Sequence, residues 1–204
     1  MNSSLLKLLQ QAWSPCPLLE SSCKSIKFCP SKGFAPRGIC GANGKPEEVE
    51  LILIFAEPGD PHESESFSSL DDSIRYTEEC YRSQTDLFHK RVRLILDMCF
   101  PGLTFDQQLC KSLLTDSVLC SAEKESGTIP IGIEKACVTN YLLEEIKLFP
   151  NAVVCALGGK SQRRLRKVGF NQYVSAFSAA PPGCNYKGAH ASWEKLAAAI
   201  HSRG

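Results

Sequence analysis

The segment CVTNYLLEEIKLFPNAVVCALG, residues 137–158, decides the fold class. Its first half carries apolar residues at the spacing of an amphipathic helix, which ends at Pro150. Its second half is a short apolar run rich in branched residues, typical of a buried strand. The segment therefore predicts a helix followed by a strand, the repeating unit of an α/β protein.

The rest of the chain repeats this alternation. Apolar runs at 49–56, 112–119, 151–157 and 172–177 predict strands, and patterns at 3–13, 86–99, 133–149, 159–168 and 192–201 predict helices. Such alternation favours a parallel sheet covered on both faces. Ligands of these sheets bind beyond the carboxyl ends of the strands, so we expect chemistry in the loops after Ala56, Leu114 and Phe177.

The composition sets the class of protein. With 204 residues the chain suffices for one domain with a single core, and its net charge of +1 argues against a surface coated with basic residues but allows a local nucleic-acid face. No apolar run approaches the roughly 20 residues that span a bilayer. Lys7 interrupts the first helical pattern, which favours an amphipathic helix over an export signal. We expect a cytoplasmic monomer without membrane contact.

Two segments depart from the alternation. Residues 14–48 contain four of the eleven cysteines among Pro, Gly and Ser, and predict an irregular region that packs with the first helix on the core. Without an export signal, a disulfide framework is not expected. Residues 60–84 are polar and acidic, and predict an insertion or lid. The expected organisation is a segment 1–48 packed on a domain 49–204, within a single domain overall.

Three further motifs accompany the opening segment: IFAEPG at 54–59, LTDSVLC at 114–120 and SAAPPG at 178–183. In order and spacing the four resemble the uracil-DNA glycosylase superfamily, from about residue 49 onward. That superfamily has a Pro-Gly turn, an Ile-Thr-Asn-x-Val-x-Cys strand, a helix leading through proline into a strand ending Leu-Gly, and a His-Pro-Ser loop. The resemblance implies a three-layer α/β/α sandwich around a four-stranded parallel sheet. It also implies an enzyme that flips out a nucleotide and breaks its N-glycosidic bond.

The first motif carries the catalytic candidate. Glu57 precedes Pro58 where related branches carry Asp or Asn, which aligns water against the sugar carbon. A carboxylate suits an oxocarbenium-like transition state, so the resemblance implies this role for Glu57. The alternative is a loop carboxylate that caps a backbone amine. Gly59 stands where a branch strict for uracil places tyrosine; it leaves the C5 edge of the base open, or is simply a turn glycine.

Asp116 is the most informative departure from the family. The superfamily's Asn donates to uracil O4 and accepts the N3 proton, whereas an ionised aspartate has no donor. A protonated Asp116 can donate to N3 of cytosine and accept from its amino group, and burial can raise its pKa enough for that form. We therefore favour a cytosine-type base. The alternative is a polar strand-end residue in a member that has lost activity.

Ala180 replaces the family histidine that supports negative charge on the departing base. Loss of one such donor typically costs on the order of 10²–10³ in rate. His62 or His190 is a candidate substitute, and the alternative for each is a surface histidine. Phe67 is the candidate for stacking on the flipped base, while Phe88 is assigned to the core.

The loop after the last strand is the expected DNA contact. It reads GCNYK at 183–187 and fits the family's loop that enters the minor groove, with Asn185 or Tyr186 as the wedge and Lys187 at a phosphate. Lys160 and Arg163, in the helical pattern 159–168, are further candidates for phosphate contact. The alternative for these two is a solvated helix face.

The resemblance also raises the question of a metal. Cys120 and Cys137 fall where the iron–sulfur branches keep two cluster ligands, and these branches supply two more from an N-terminal C-x-x-C. Here Cys16 is the third candidate and Cys23, or else Cys29, the fourth. A 4Fe-4S cluster is the first expectation. A zinc site and the absence of any metal are the alternatives.

The leading functional hypothesis is a monofunctional DNA glycosylase that excises a cytosine-type or 5-modified cytosine base and leaves an abasic site. Because phage genomes contain such bases, a role in defence against phage DNA is conceivable. One alternative is repair of uracil or other deaminated bases. Another, which the Ala180 replacement favours, is a catalytically silent member that binds nucleic acid.

Overall fold

The computed structural model describes residues 1–14, 28–122, 124 and 127–203. Its sheet has the strand order β1-β3-β2-β4-β5. The strands are β1 (Cys40–Gly41), β2 (Leu51–Phe55), β3 (Ser112–Asp116), β4 (Val153–Leu157) and β5 (Val174–Ala176). Strands β2 to β5 are mutually parallel, and β1 pairs antiparallel with β3. The predicted α/β class and its four parallel strands are confirmed. The sheet also has a fifth strand, β1, which the sequence did not predict because two residues are too few to show a period.

Helices cover both faces of the sheet. They are α1 (Ser3–Ala12), α2 (Leu70–Ser83), α3 (Leu87–Cys99), α4 (Phe105–Lys111), α5 (Ile131–Cys137), α6 (Leu143–Leu148), α7 (Gly159–Lys167) and α8 (Ala189–His201). The pattern at 133–149, which predicted one helix, is divided into α5, a π-helical segment Val138–Leu142 and α6. The chain therefore forms an α/β/α sandwich.

Alternate side chains of β2 pack into two hydrophobic cores, one on each face of the sheet. Leu51, Leu53 and Phe55 join one buried cluster with residues of α3, α4 and α8. Ile52 and Ile54 point to the opposite face and join a second cluster with residues of α1, α7 and the π-helical segment. This period of two, with every side chain buried, is what a central strand between two helical layers requires.

Helix α2 corrects the prediction of an insertion or lid at 60–84. Residues 70–83 are helical, and the Ser69 side chain accepts from the Asp72 N–H at the helix start. Ile74 and Tyr81 are buried against the cores, while the opposite face is charged. The helical period was not recognised because polar residues outnumber the few apolar residues of the buried stripe in this segment.

The N-terminal region packs against the sheet. Leu5 and Leu9 of α1 are fully buried in the second core cluster, and the Asn2 N–H donates to Ala42 O. Residues 40–41 extend the sheet as β1. Cys16 and Cys23 lie outside the described residues. None of the helices in the described ranges is long and apolar enough to cross a membrane.

Candidate active site

Asp116 ends β3 at the carboxyl edge of the sheet. In the register it stands opposite Phe55, so the turn that follows β2 lies beside it. The residue is 4% exposed, and within the described part of the chain its carboxyl group has no hydrogen-bond partner. Gly38 closes one side: a Cβ on this glycine would lie 2.4 Å from Asp116 Oδ2. The structure thus brings together the two motifs that carry the base-reading and catalytic candidates.

The environment of Asp116 favours its neutral form. Burial raises the pKa of its carboxyl group well above the ordinary range, and the negative charge of Glu57 raises it further. The positive charges of Arg164 and Arg37 oppose the rise without cancelling it. A neutral carboxyl group presents one donor and one acceptor, as an amide does.

Glu57 lies in the turn after β2, and its side chain is 6% exposed. Lys160 donates to Oε1, and Arg164 Nη1 lies 2.6 Å from Oε2. The arginine contact is an ion pair without the alignment of a hydrogen bond, so Oε2 has no hydrogen-bond partner among the described residues. The alternative that Glu57 caps a backbone amine finds no support in these contacts, since both partners are side-chain cations.

Arg164 is the site residue that sequence reasoning missed. It is 1% exposed, and its Nη1 donates to Ala56 O at 2.6 Å and Ser117 Oγ at 3.0 Å. Its Nε donates to Glu134 Oε1 at 2.9 Å. The basic composition of α7 suggested a solvent-facing helix. The available signal was helical spacing, which places Arg164 on the buried side with Leu165.

The two α7 candidates for DNA contact pair with carboxylates of the protein but stay partly exposed. Lys160 pairs with Glu57, and its side chain is 34% exposed. Arg163 Nη2 lies 2.6 Å from Glu134 Oε1, and its side chain is 47% exposed. Lys167 pairs with the other oxygen of Glu134 at 3.3 Å. Much of the positive charge of α7 is therefore balanced by two buried carboxylates.

The loop after the Glu57 turn holds three further candidates. Gly59 is exposed, and its carbonyl accepts from Ser121 Oγ at 2.8 Å. His62 is also exposed, and its Nδ1 lies 2.9 Å from Ser64 Oγ in the same loop, so its described contacts do not join it to Glu57. Phe67 is 5% exposed and packs edge-on against Tyr76 at 5.4 Å between ring centroids. These contacts leave little of the Phe67 ring available for a base.

The loop after β5 presents an aromatic surface. Tyr186 is 58% exposed, and its ring lies 5.5 Å from that of Phe177, which is itself exposed. Asn185 and Lys187 flank Tyr186 and are exposed as well. The candidate wedge and phosphate-binding residues thus project together from one loop.

The missing histidine has no replacement among the described contacts. Ala180 is half-buried, and its N–H donates to Ser178 Oγ at 3.0 Å. His190 Nδ1 lies 3.2 Å from Glu194 on the outer face of α8. Neither His190 nor His62 therefore makes a described contact with the groups around Asp116.

Two of the cysteine candidates share one patch. Cys120 and Cys137 pack against the same small apolar cluster, formed by Val118, Ala122, Ile129 and Ile133. Cys29 lies elsewhere, with its backbone bridged to Phe34. Within the described ranges, no three metal-ligating side chains gather in one group. Two thiols on one patch suit half of an iron–sulfur or zinc donor set, so the metal stays a prediction.

Comparison of the chain with protein-family models found no match, and comparison with curated proteins found none either. The basis for a functional assignment is therefore the set of motifs together with the geometry around Asp116 and Glu57.

Proposed function

We propose that the protein is a monofunctional DNA glycosylase, similar to the uracil-DNA glycosylase superfamily, that flips out a cytosine-type base and leaves an abasic site. The observation that carries the proposal is the buried Asp116 carboxyl group, whose pKa is raised, beside the Glu57 turn at the carboxyl edge of the sheet. Ligands of parallel sheets bind at this edge.

The neutral Asp116 reads the Watson–Crick edge of the base. Its hydroxyl donates to N3 of cytosine, and its carbonyl oxygen accepts from the N4 amino group. The same neutral carboxyl group can also donate to O4 of uracil and accept the N3 proton. Uracil repair is therefore the second candidate function. The exposed Gly59 favours 5-modified cytosine over uracil, because a glycine places no side chain against the C5 edge of the base.

Glu57 supplies the carboxylate near the sugar. As the glycosidic bond stretches, positive charge develops on the sugar ring, and a fixed carboxylate stabilises it. Without a histidine to support the departing base, we expect a slower enzyme than one that has it. The same two features, the missing histidine and the two cations on Glu57, favour the silent nucleic-acid-binding alternative.

The DNA partner is contacted through the exposed loop of Asn185, Tyr186 and Lys187, and through the partly exposed side chains of Lys160 and Arg163 on α7. A monomer in the cytoplasm suits an enzyme that acts on intracellular or invading DNA, and a preference for modified cytosine suits defence against phage. A 4Fe-4S cluster on Cys120 and Cys137 would pin the N-terminal segment to the core. Its remaining ligands would be Cys16 with Cys23 or Cys29.

The test is base release from matched oligonucleotides that carry uracil, hypoxanthine, cytosine or 5-hydroxymethylcytosine, followed by alkali. We expect cleavage of the cytosine-type strands, with a much lower but measurable rate of base release in Glu57→Gln. Replacing Asp116 by Ala should lower the rate on these strands by roughly 10- to 100-fold, since an unmatched buried polar group costs about 1–3 kcal/mol.

Three outcomes argue otherwise. Cleavage of uracil DNA alone, unchanged in Asp116→Asn, would favour ordinary repair. Binding without cleavage of any strand would favour the silent member. An iron assay with visible absorbance that bleaches on reduction decides the cluster, and its absence leaves zinc or no metal.

A further inference from the structure

Arg164 connects four parts of the candidate site from a buried position. Its Nη1 contacts the Ala56 carbonyl after β2, the Ser117 hydroxyl after β3 and Glu57 Oε2. Its Nε is bound to Glu134 of α5. With 1% exposure, the guanidinium group is out of reach of a nucleic acid. Any effect it has on chemistry must therefore pass through another residue.

The guanidinium orientation is fixed independently of Glu57. Glu134 holds the Nε side at 2.9 Å, and the Ala56 carbonyl holds Nη1 at 2.6 Å. A planar guanidinium with five donors can satisfy these acceptors together, whereas the single ammonium of lysine cannot span them. The consequence is a rigid positive group whose distance to Glu57 Oε2 is 2.6 Å.

We propose that Arg164 is a positioning residue that fixes the Glu57 carboxylate where it stabilises the positive charge on the sugar ring. The inference rests on the proposed function, because it assigns Arg164 an effect only through Glu57. Lys160 holds the other carboxylate oxygen from a half-exposed position, so Arg164 is the buried one of the two anchors. A displacement of about 1 Å at a reacting group can cost on the order of 10² in rate.

The test is a double-mutant cycle on the single-turnover rate of base release at saturating enzyme. Arg164→Lys keeps the positive charge but loses the planar guanidinium group with its five donors. We therefore expect the rate of base release to fall by roughly tenfold to a hundredfold while DNA affinity is retained. In the Glu57→Gln background, Arg164→Lys should have no further effect, because the group through which it acts is already gone.

Lys167→Gln is the matched control. Lys167 contacts the same Glu134 at 3.3 Å from the same helix but makes no described contact with Glu57, so this variant should keep the wild-type rate. If Arg164→Lys does not fold by circular dichroism, Glu134→Gln replaces it, because it loosens the Nε anchor while the Nη1 acceptors stay.

Each outcome has its own meaning. An equal loss of rate in both backgrounds shows a general structural role and overturns the inference, as does an unchanged rate in Arg164→Lys. An unchanged rate in Glu57→Gln instead removes the catalytic carboxylate from the proposed function. A wild-type protein that releases no base from any strand overturns both.

Discussion

At the scale of single residues, the protein buries carboxyl groups in two different ways. Glu57 and Glu134 each pair with two or more cations, whereas Glu145 and Asp116 are buried without a cation in direct contact among the residues that the structure describes. Burial raises the pKa of Glu145 to about 7, against an opposing effect of the nearby Thr115 hydroxyl. Neither the Glu145 carboxyl group nor the Thr115 hydroxyl has an aligned hydrogen-bond partner in the described part of the chain. This contrast leads to a pH-dependent prediction.

Glu145→Gln should stabilise the protein at high pH. A folded pKa above the unfolded value means that the stability contribution is complete below about pH 4.5 and is lost as the pH rises toward 7. Above that range the buried acid costs about 3 kcal/mol, since one pKa unit corresponds to about 1.4 kcal/mol. Chemical denaturation at pH 5 and pH 8 should show the variant gaining on wild type only at pH 8.

The neighbouring Glu144→Gln is the control for this measurement. Glu144 forms an exposed pair with Lys147, and surface pairs contribute roughly 0–1 kcal/mol. A gain at pH 8 as large in Glu144→Gln as in Glu145→Gln would show that burial is not the cause.

Gly38 is the second residue with a specific expectation. Its φ is +80°, and an added Cβ would lie 2.4 Å from Asp116 Oδ2. Gly38→Ala should therefore cost more than the roughly 1–2 kcal/mol of a left-handed alanine, and should also weaken base selection. Gly102→Ala isolates the backbone cost, because Gly102 has φ +79° and nothing within 4 Å. Equal losses of unfolding free energy in the two variants would contradict the close approach to Asp116.

At the scale of elements, the sequence predicts what has a clear period. The runs that became β2, β3, β4 and β5 are apolar and short, so their positions were predicted to within a few residues. Helix α2 was not predicted because its exposed face is charged, and β1 was not predicted because it has only two residues. The predicted proximity of Asp116 and Glu57 follows from parallel pairing. Helical spacing places Arg164 on the buried side of α7 with Leu165, but the acceptors that its guanidinium group binds are distant in the sequence and needed the structure.

Helices α5 and α7 are held together by Glu134. It is 2% exposed, and Arg163, Arg164 and Lys167 all pair with it. Glu134→Ala should cost about 3–5 kcal/mol in thermal or chemical unfolding, because removing one partner of a buried ion pair leaves the other uncompensated. Arg166→Ala, on the exposed side of α7, should change the unfolding free energy little. Similar losses in both variants would show that the helix needs its charge and not this pairing.

At the scale of the whole molecule, a net charge of +1 limits electrostatic attraction to DNA. The proposed phosphate contacts are three: Lys160, Arg163 and Lys187. Since each neutralised phosphate contributes a slope of about −0.9, the plot of log affinity against log salt should be no steeper than about −3. Lys187→Gln should reduce that slope by about one unit in fluorescence-anisotropy titrations. A slope near −6 would reveal a basic surface other than the one proposed.

The two-residue strand β1 forms one edge of the sheet. It pairs with Leu113 and Leu114 on the edge of β3 that faces away from β2. Uncovered strand edges recruit strands from other molecules and start aggregation. Detachment of residues 39–42, for example by limited proteolysis, would expose this edge, and we expect the cleaved molecules to associate through their own central sheets, which light scattering would detect.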